Sequence, residues 1–362
     1  MALARTIFNL RLLPKLTAGQ APSPVPRVSV IVPARNEERV IERTVRALLA
    51  QDYPALEVII VDDRSTDMTP QLLESIHDSR LIVVHGDEKP AGWLGKPWAL
   101  HQGSLRATGE LLLFVDADVI YEQGAITAAV AHLQRRNAAM ISLLPRFEMR
   151  GFWENAAMPQ LAMTLFTYIP TWLGDRRQIG ALAVGGGPGN LVYRREYDEA
   201  GGHVALRDAV VDDVSLARRL RKNGRRTETV RADDFVWLRM YHGAGEIIDG
   251  FTKNAFSVFG RNYVVAFATL AGTVIVHFLP YPFALFGNVY AIATVIVISL
   301  TRALLFRSLR YPMWSAILLH PFTTVIWFWI FLRSTWLTGV RRQLHWRGRT
   351  YDAAETRFGH ER

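Results

Sequence analysis

The sequence predicts an α/β domain with a mostly parallel sheet, followed by transmembrane helices toward the C-terminus. Two patterns carry this prediction. From Val28 onward, runs rich in Val, Ile and Leu alternate with helical patterns, which is typical of a sheet covered by helices on both faces. Residues 263 to 301 contain no Lys, Arg, Asp or Glu. Because roughly 20 apolar residues suffice for one membrane helix, this stretch has room for two.

The composition limits the kinds of site and binding partner that the chain can have. The chain has 362 residues, enough for two units, and its lack of cysteine excludes a disulfide framework and a thiolate zinc site. The net charge of +9 predicts anionic partners such as phosphates or an acidic membrane surface. We expect no nucleic-acid partner.

Residues 1 to 20 form the first predicted element. Arg5, Arg11 and Lys15 lie among apolar residues at a roughly helical spacing, without an acidic residue. This pattern predicts an amphipathic interfacial helix lying on the membrane surface, with a disordered leader as the alternative. Residues 21 to 27, APSPVPR, are expected to form a proline-rich linker into the first folded unit.

The α/β domain is predicted over residues 28 to 235, with Asn36 as the cap of its first helix. Periodicity predicts strands at 28–33, 56–63, 81–85 and 111–118, and helices at 40–49, 69–76, 96–106, 124–135 and 214–224.

Polar residues follow three of these strands at their carboxyl ends, where ligands bind in parallel sheets. They are Arg35, Asn36 and Glu37 after the first strand, Asp62 and Asp63 after the second, and Asp116 and Asp118 at the end of LLLFVDAD. Two carboxylates spaced like Asp116 and Asp118 can share a hard cation such as Mg²⁺ or Mn²⁺, completed by water and substrate phosphates. The alternative is that these aspartates only cap a loop.

These stretches, in this order, resemble the inverting family 2 glycosyltransferases, whose GT-A fold is a Rossmann-like fold that binds nucleotide sugars. VSVIVPARNEE is similar to the family's opening strand and loop, VDDRSTD to its second loop and VDADV to its D-x-D motif. VDDVSLARRLRKNGRR is similar to the acidic pair and the helix after it. PAGWLGKPWAL and GFTKN also resemble the lipid-directed branch, the ceramide-glucosyltransferase-like enzymes and their carotenoid- and hopanoid-associated bacterial relatives.

The resemblance implies a role for each matching position. The implied donor-binding residues are Pro33, Ala34, Asn36, Glu37, Asp62, Asp63, Lys96, Asp116 and Lys253. Asp116 and Asp118 would hold Mg²⁺ or Mn²⁺. Asp213 would be the base that deprotonates the acceptor hydroxyl, and Asp212 stands where the family usually has glutamate. Simpler roles stay open: helix capping for Asp62, Asp63, Asp212 and Asp213, and a solvated surface position for Lys96.

One departure from the family predicts the transfer of a single sugar. Processive members carry a Gln-x-x-Arg-Trp motif, whereas this chain has GEIIDGFTKNAF, with Lys253 and Asn254 in roughly that place. The expected reaction moves one sugar from a UDP- or GDP-sugar to an isoprenoid, hopanoid, carotenoid or sphingolipid-like acceptor. The alternatives are a polysaccharide or polyprenyl-phosphate glycosyltransferase, a soluble nucleotidyltransferase, and a noncatalytic membrane scaffold.

Two further segments have open interpretations. Residues 152 to 173 are rich in aromatic residues and methionine with Glu154 as their one formal charge, which fits an interfacial helix or an ordinary core helix equally well. The turn GGGPGN, residues 185 to 190, is expected to approach the acceptor closely. As a phosphate loop it lacks the Lys-Ser/Thr ending.

The C-terminal part is predicted as an interfacial helix at 236–262, a transmembrane region of two or three spans at 263–333, and a basic tail at 334–362. Pro280 and Pro282 would separate the first two spans. The next short loop, with Arg302, Arg307 and Arg310, would face the cytoplasm with the catalytic domain.

The last apolar stretch is expected to be a third span, with a re-entrant hairpin broken at His320-Pro321 as the alternative. The sequence thus predicts a multi-pass protein of a bacterial-type cell membrane.

Overall fold

A computed structural model of the protein describes residues 1–20, 22–256, 262–341, 343–346 and 349–352. The strands are β1 (Val28–Ala34), β2 (Leu56–Asp62), β3 (Leu81–His85), β4 (Leu111–Phe114), β5 (Val119–Tyr121), β6 (Met140–Leu144), β7 (Arg146–Phe147), β8 (Asn190–Tyr193), β9 (Thr227–Arg231), β10 (Val236–Leu238), β11 (Gln343–Trp346) and β12 (Arg349–Asp352).

The helices alternate with the strands up to β10 and then dominate the chain. They are α1 (Ala2–Leu12), α2 (Ile41–Leu49), α3 (Thr69–Glu74), α4 (Gly95–Arg106), α5 (Ala125–Arg135), α6 (Gly151–Ala157), α7 (Pro159–Met163), α8 (Thr171–Arg177), α9 (Arg194–Glu199), α10 (Asp212–Lys222), α11 (Gly243–Ala255), α12 (Tyr263–Thr273), α13 (Pro280–Leu285), α14 (Val289–Leu309), α15 (Met313–Leu318) and α16 (His320–Ser334). Wider π-type turns occupy Thr164–Tyr168, Val274–Phe278 and Thr335–Val340, and short 3₁₀ turns occupy Gly180–Leu182 and Gly202–Leu206.

The central sheet of the described chain has seven strands in the order β3-β2-β1-β4-β8-β6-β9. All neighbouring pairs are parallel except those that β8 makes with β4 and β6. Because β8 is antiparallel to both of its neighbours, β4 and β6 run in the same direction. The carboxyl ends of β1, β2, β4, β6 and β9 therefore share one edge, where ligands bind in such sheets.

The strand predicted at 111–118 is shorter than expected. β4 ends at Phe114, and β5 joins a second sheet with the order β5-β10-β7. The backbone N–H of Asp116 donates to the carbonyl of Gly187 at 2.8 Å, which draws the chain out of the first sheet. Asp116 and Asp118 thus lie in the turn between the two sheets.

Asn36 does not cap the first helix, contrary to expectation. α2 begins at Ile41, five residues later, and the Asn36 side chain faces the neighbouring loop instead, where its Oδ1 accepts from the Thr66 backbone N–H at 2.8 Å. The Asn36 backbone has a φ of 53°, a left-handed conformation that asparagine tolerates better than most residues.

The N-terminal helix α1 turns its polar face toward the protein. Thr6 and Asn9 are buried, while Phe8 and Leu12 are 50% and 54% exposed. The Asn9 amide donates to the carbonyls of Phe166 and Ile169 at 3.0 and 2.7 Å and so satisfies the end of the π-type turn Thr164–Tyr168. α1 packs on this turn and on α14.

The segment with two open interpretations, residues 152 to 173, forms α6, α7 and the following π-type turn. Glu154 is buried, and its carboxylate accepts from the Arg239 guanidinium at 2.7 and 3.0 Å. Phe152 and Trp153 are about half exposed. The segment contacts α1, α11, α14 and α16 and therefore joins the sheet domain to the C-terminal helices.

Two stretches of helix are long and apolar enough to cross a membrane, Tyr263–Leu285 and Val289–Leu309. The first continues through Pro280, although proline has no N–H to donate. The π-type turn Val274–Phe278 just before it changes the hydrogen-bond register of the helix, so that this donor is not needed. The expected separation at Pro280 and Pro282 is therefore wrong, and the chain turns at residues 286 to 288 instead.

Other expected boundaries also shift. Arg302 lies inside α14 and is fully buried, so it is not in the loop with Arg307 and Arg310. Residues 236 to 238 form β10, and the helix predicted from 236 begins at Gly243. The last apolar stretch is interrupted at Leu319, beside the expected break at His320-Pro321. Its topology stays a prediction, as does that of the tail, much of which lies outside the described residues.

Candidate active site

A cleft opens at the carboxyl end of β4. Its polar lining consists of Lys96, Asp116, Asn190, His203, Asp212 and Asp213. These side chains come from five separate segments: the first turn of α4, the turn after β4, the start of β8, the 3₁₀ turn Gly202–Leu206 and the first turn of α10. The sheet topology brings them together, since β4 and β8 are neighbours.

Lys96 is the cation of the cleft. Its ammonium lies 2.7 Å from Asp116 Oδ1 and 3.7 Å from Asp212 Oδ1, and its side chain is only 17% exposed. Burial disfavours the charged form, but the carboxylates of Asp116, Asp212 and Asp213 outweigh it and raise the pKa of Lys96. Lys96 therefore stays protonated and is not a solvated surface lysine.

The two aspartates at the start of α10 have opposite pKa shifts. Burial raises the pKa of Asp213 to about 6; the Lys96 ammonium opposes this shift, and the Asp212 and Asp116 carboxylates add to it. Burial acts the same way on Asp212, but the Lys96 ammonium and then the His203 imidazole lower its pKa overall. Asp212 thus holds the charge at neutral pH, and Asp213 is the carboxylate whose proton affinity is tuned upward.

Neither aspartate is the cap of α10. The helix begins at Asp212, the capping position belongs to Val211, and no side chain caps it. Asp213 Oδ1 accepts from the backbone N–H of Val214 at 2.7 Å, which fixes the orientation of a carboxylate that lines the cleft.

His203 connects Asp212 to a buried hydrogen-bond chain that sequence patterns did not reveal. Its Nε2 lies 3.8 Å from Asp212 Oδ2, and its Nδ1 lies 2.8 Å from the Tyr197 hydroxyl. When the hydroxyl donates to Nδ1, the ring hydrogen is on Nε2, the side of Asp212. No local pattern in the sequence marks Tyr197, His203 or Asn190, because their contacts join distant segments.

The glycine-rich turn packs between the two acidic motifs. A Cβ on Gly187 would lie 1.8 Å from Asp116 Oδ2, and one on Gly185 would lie 2.2 Å from the backbone oxygen of Asp213. Only glycine allows this approach. The turn thus packs closely against both Asp116 and Asp213.

The residues that follow β1 and β2 form a second group on the same edge. Ala34 and Asp62 are register partners at the strand ends, and the guanidinium of Arg35 donates to the Asp63 carbonyl at 2.5 Å. The backbone N–H of Glu37 donates to Thr69 Oγ1 at 2.8 Å. The two loops are therefore linked to each other, with Pro33 one residue before Ala34 in β1.

Asp62 also has a local contact, since its Oδ1 accepts from the backbone N–H of Ser65 at 3.1 Å. This contact is not a helix cap, the alternative role considered for Asp62, because α3 begins only at Thr69. β1 lies between β2 and β4, so this group adjoins the cleft around Asp116.

The family assignment rests on comparison with known proteins. The profile described as Glycosyl transferase family 2 matches residues 29–202, from β1 to the turn that carries His203. This match supports a family 2 glycosyltransferase. The match ends before the acidic pair at 212 and 213, so it contributes nothing to the roles of these two residues.

Curated relatives extend the similarity of this glycosyltransferase over nearly its whole length. It is 24% identical over 381 aligned positions to the 4,4'-diaponeurosporenoate glycosyltransferase of Staphylococcus aureus strain MRSA252, covering 98% of this chain and 96% of the relative. The protein of the same name from strain USA300 is 26% identical over 262 positions, which is 70% of this chain and 67% of that one. The resemblance to a carotenoid-related branch is confirmed.

The fold prediction is confirmed as well. The structure is similar to mannosyltransferase PcManGT from Pyrobaculum calidifontis in complex with GDP-Man and Mn²⁺, with a TM-score of 0.52 and 20% identity over 92% of this chain and 96% of that one. The glycosyltransferase thus has a mostly parallel α/β domain of the GT-A type, followed by two apolar helices that are candidate membrane spans. The comparisons favour a glycosyltransferase over the alternatives of a nucleotidyltransferase and a noncatalytic scaffold.

One predicted metal ligand of the glycosyltransferase does not line the cleft. Asp118 is half-buried in the turn after β4 but is not part of the cleft wall. Lys253 belongs to α11, and its side chain lies outside the described residues. Their proposed roles stay predictions.

Proposed function

We propose that this glycosyltransferase moves one sugar from a nucleotide diphosphate sugar to a lipid acceptor, with inversion at the anomeric carbon. The observation that carries the proposal is the convergence of Lys96, Asp116, Asp212 and Asp213 on one cleft at the ligand edge of the sheet. The group contains a fixed cation for a diphosphate and a carboxylate with raised proton affinity, which are the two functions that the reaction needs.

Asp213 is the proposed base. Its carboxylate takes the proton of the acceptor hydroxyl as the hydroxyl oxygen bonds to the anomeric carbon. The bond from that carbon to the diphosphate oxygen breaks on the opposite face, and the nucleoside diphosphate leaves. A pKa near 6 keeps Asp213 mostly ionised at neutral pH while leaving it a better base than an ordinary aspartate.

Lys96 and Asp212 prepare the site for this step. The Lys96 ammonium has three N–H donors and is held by Asp116 and Asp212, so it is in place to donate to diphosphate oxygens. Asp212 in turn keeps its charge beside Lys96 and His203. In this proposal Asp212 positions the cation and Asp213 accepts the proton.

The donor set suits a divalent cation that the substrate helps to bind. Asp116 offers oxygen ligands on a side chain that is 39% exposed, whereas the described residues contain no cluster of three or more metal-binding side chains. Such an open site matches Mg²⁺ or Mn²⁺ that keeps water and phosphate ligands, with Asp116 and Asp118 as the protein ligands. When bound, the cation would neutralise the charge of the leaving diphosphate.

The nucleotide is proposed to bind beside the cleft, in the group formed by the loops after β1 and β2. This group contains Pro33, Ala34, Asn36, Glu37, Asp62 and Asp63. Its carboxylates and backbone groups match the N–H donors of a base, and it adjoins the cleft through β1. Lys253 is proposed to add a cation on the diphosphate side.

Exposure of the apolar helices supports a membrane location. Only 17% and 33% of the most apolar windows of Tyr263–Leu285 and Val289–Leu309 are buried, whereas a core helix would be mostly buried. Leu285, Phe286 and Tyr290 are more than four-fifths exposed. Apolar surface of this extent is stable in a bilayer. The proposed arrangement is multi-pass in a bacterial-type membrane, with the catalytic domain in the cytoplasm.

The apolar face of α1 supports the same location. Phe8 and Leu12 point away from the protein, and Arg11 lies on the exposed side in the last turn. A helix with this arrangement lies well in the interface of an anionic membrane. α1 is therefore proposed as the interfacial helix predicted from the sequence, and α6 and α7 as the joint beneath the sheet.

A second cleft supports a lipid acceptor. Its apolar lining comes from the ends of β6 and β7, from α7 and its π-type turn, and from the end of α14. It lies on the same edge of the sheet as the catalytic cleft, because β6 runs parallel to β4. Among the candidate acceptors, the similarity to 4,4'-diaponeurosporenoate glycosyltransferases favours a lipid of the carotenoid class.

The test is direct transfer by the purified full chain in detergent. UDP- and GDP-sugars are offered with extracted carotenoid, hopanoid and sphingolipid fractions and with a polyprenyl phosphate, and products are read by mass. One hexose on a neutral or carboxylic lipid is the expected product, and excess chelator is expected to abolish it. Transfer only to polyprenyl phosphate, or repeated addition of sugars, would favour the polysaccharide or polyprenyl-phosphate alternative. Full activity in excess chelator would show that transfer does not require a divalent cation.

A further inference from the structure

A cluster of buried and half-buried polar side chains lies between the C-terminal helices, away from the catalytic cleft. It consists of Tyr168, His277, Tyr281, Arg302 and His320. Tyr168 OH lies 3.1 Å from His277 Nε2, and His277 Nδ1 lies 3.2 Å from His320 Nε2. The proposed catalytic mechanism uses none of these residues.

Arg302 brings an uncompensated charge into this cluster. It is 0% exposed in the interior of α14. Within the described residues it forms no ion pair with a carboxylate, and its contacts are with backbone carbonyls and the Phe306 ring. Its Nε donates to the carbonyl of Ala316 at 2.6 Å and its Nη2 to that of Ser315 at 3.4 Å. Two of its three nitrogens therefore bind backbone carbonyls of the short helix α15. The third nitrogen, Nη1, is buried and has no hydrogen-bond partner.

Two further polar atoms in the cluster are also left without partners. Tyr281 OH and His320 Nδ1 are buried and unbonded, and the Arg302 guanidinium acts electrostatically on both side chains. The Tyr281 and His320 rings lie 6.0 Å apart. When Tyr168 donates to His277 and His277 donates onward, His320 carries its hydrogen on Nδ1, which is then a donor. All three unbonded groups are thus available as hydrogen-bond donors.

We propose that this cluster, the Arg302 site, binds the anionic group of a membrane lipid, a phosphate or a carboxylate. A buried guanidinium with an unused donor needs a negative partner, because an unpaired charge in an apolar interior is costly. Arg302 lies two turns before the end of α14 at Leu309, about 10 Å along the helix, which keeps it within reach of lipid headgroups. The inference rests on the membrane location proposed for these helices.

The test measures lipid retention by the full chain in detergent, which requires no sugar transfer. The protein is incubated with mixed vesicles of phosphatidylglycerol and phosphatidylcholine, and retained lipid is counted by native mass spectrometry. Wild type is expected to retain phosphatidylglycerol about tenfold more than phosphatidylcholine, and Arg302→Gln to lose that preference. The control Arg307→Gln removes an exposed arginine of the same helix and should behave as wild type.

Tyr281→Phe keeps the proposal testable if Arg302→Gln fails to fold. Its hydroxyl bonds to nothing in the described chain, so its loss should leave the melting temperature unchanged and reduce retention about threefold. Oleate is expected to displace phosphatidylglycerol, and millimolar inorganic phosphate is not. Displacement by inorganic phosphate would assign the site to a soluble anion. Equal retention of both phospholipids, or wild-type retention by Tyr281→Phe, would overturn the proposal.

Discussion

Asp213 is a half-buried carboxylate beside those of Asp212 and Asp116, and substitution by Asn removes its charge while keeping its shape. Asp213→Asn is expected to reduce kcat by about 10² to 10⁴, roughly 3 to 5 kcal/mol, because no other group takes the acceptor proton. Donor affinity should stay near that of wild type, measured by calorimetry. Asp198→Asn, an exposed aspartate outside the cleft, is the control. Near-normal turnover by Asp213→Asn would remove Asp213 from the mechanism.

The raised pKa of Asp213 predicts the acid limb of the pH profile. The base must be ionised, so kcat/KM is expected to fall tenfold per pH unit as the pH drops below about 6. The limb belongs to the buried group, since an ordinary aspartate would keep the rate flat to about pH 4. Rates with saturating metal between about pH 4.5 and 8 measure this limb. A flat profile down to about pH 4.5 would contradict the assignment.

Gly187 and Gly186 offer a matched pair in the glycine-rich turn. A Cβ at Gly187 would overlap Asp116 Oδ2, so Gly187→Ala must displace this carboxylate and weaken donor binding, by about tenfold or more. A Cβ at Gly186 would meet only the ring of Pro188 at 3.2 Å, so Gly186→Ala should bind the donor almost normally. Titrating the two variants with the donor compares their affinities. Equal affinities would show that the turn does not position Asp116.

At the scale of elements, one asparagine fixes α1 to the rest of the protein. Asn9 donates to two carbonyls at the end of the π-type turn and accepts from the backbone N–H of Trp172 at 3.0 Å. Asn9→Ala leaves these groups buried and unpaired, which should cost about 2 to 3 kcal/mol and expose α1 to proteases. Limited proteolysis followed by N-terminal mass mapping measures the effect. Arg11→Ala, on the exposed side of the helix, should change nothing.

The sequence predicted the repeating part of the fold well, because long apolar strands and amphipathic helices have strong periodicity. β1, β2, β3 and α4 lie within two residues of their expected positions. The strands β5, β7 and β10 were missed, because two or three residues are too few to show a period. The central-sheet strands β6, β8 and β9 were not predicted either.

The charged members of the site followed from their motifs and the resemblance, while its supporting members did not. Lys96, Asp116, Asp212 and Asp213 follow strand ends or begin helices, where ligand-binding residues are expected. His203 and Tyr197 become visible only when α9 and the following turn pack beside α10. The helix break expected at Pro280 was also misplaced for a reason that local patterns do not show. A π-type turn just before Pro280 lets the helix continue through a proline that would break a regular helix.

At the scale of the whole molecule, the absence of cysteine makes the orientation measurable with single added thiols. Phe286, 88% exposed in the turn between the two apolar helices, should face the outside if the catalytic domain is cytoplasmic. Phe286→Cys is then expected to react with an impermeant maleimide on intact cells. Leu105→Cys, at a 71% exposed position of α4, should react only after permeabilisation, and the reverse pattern would invert the topology.

The same experiment with Thr350→Cys distinguishes the two arrangements of the last apolar stretch. Labelling from outside intact cells is expected for three spans, the arrangement predicted from the sequence. Labelling only after permeabilisation would instead show that the stretch returns to the cytoplasmic side, as in the re-entrant hairpin.

The packing of α1 determines when this protein can finish assembling. The Arg231 guanidinium donates to the carbonyls of Leu10 and Ser308, so it joins the beginning of the chain to the end of α14. A ribosome makes Leu10 almost 300 residues before Ser308. Until α14 emerges, the polar face of α1 has only part of its docking surface, while its apolar face can already rest on lipid. α1 is therefore translated long before its last contacts form, and in the proposed interfacial location the bilayer would hold it in the interval.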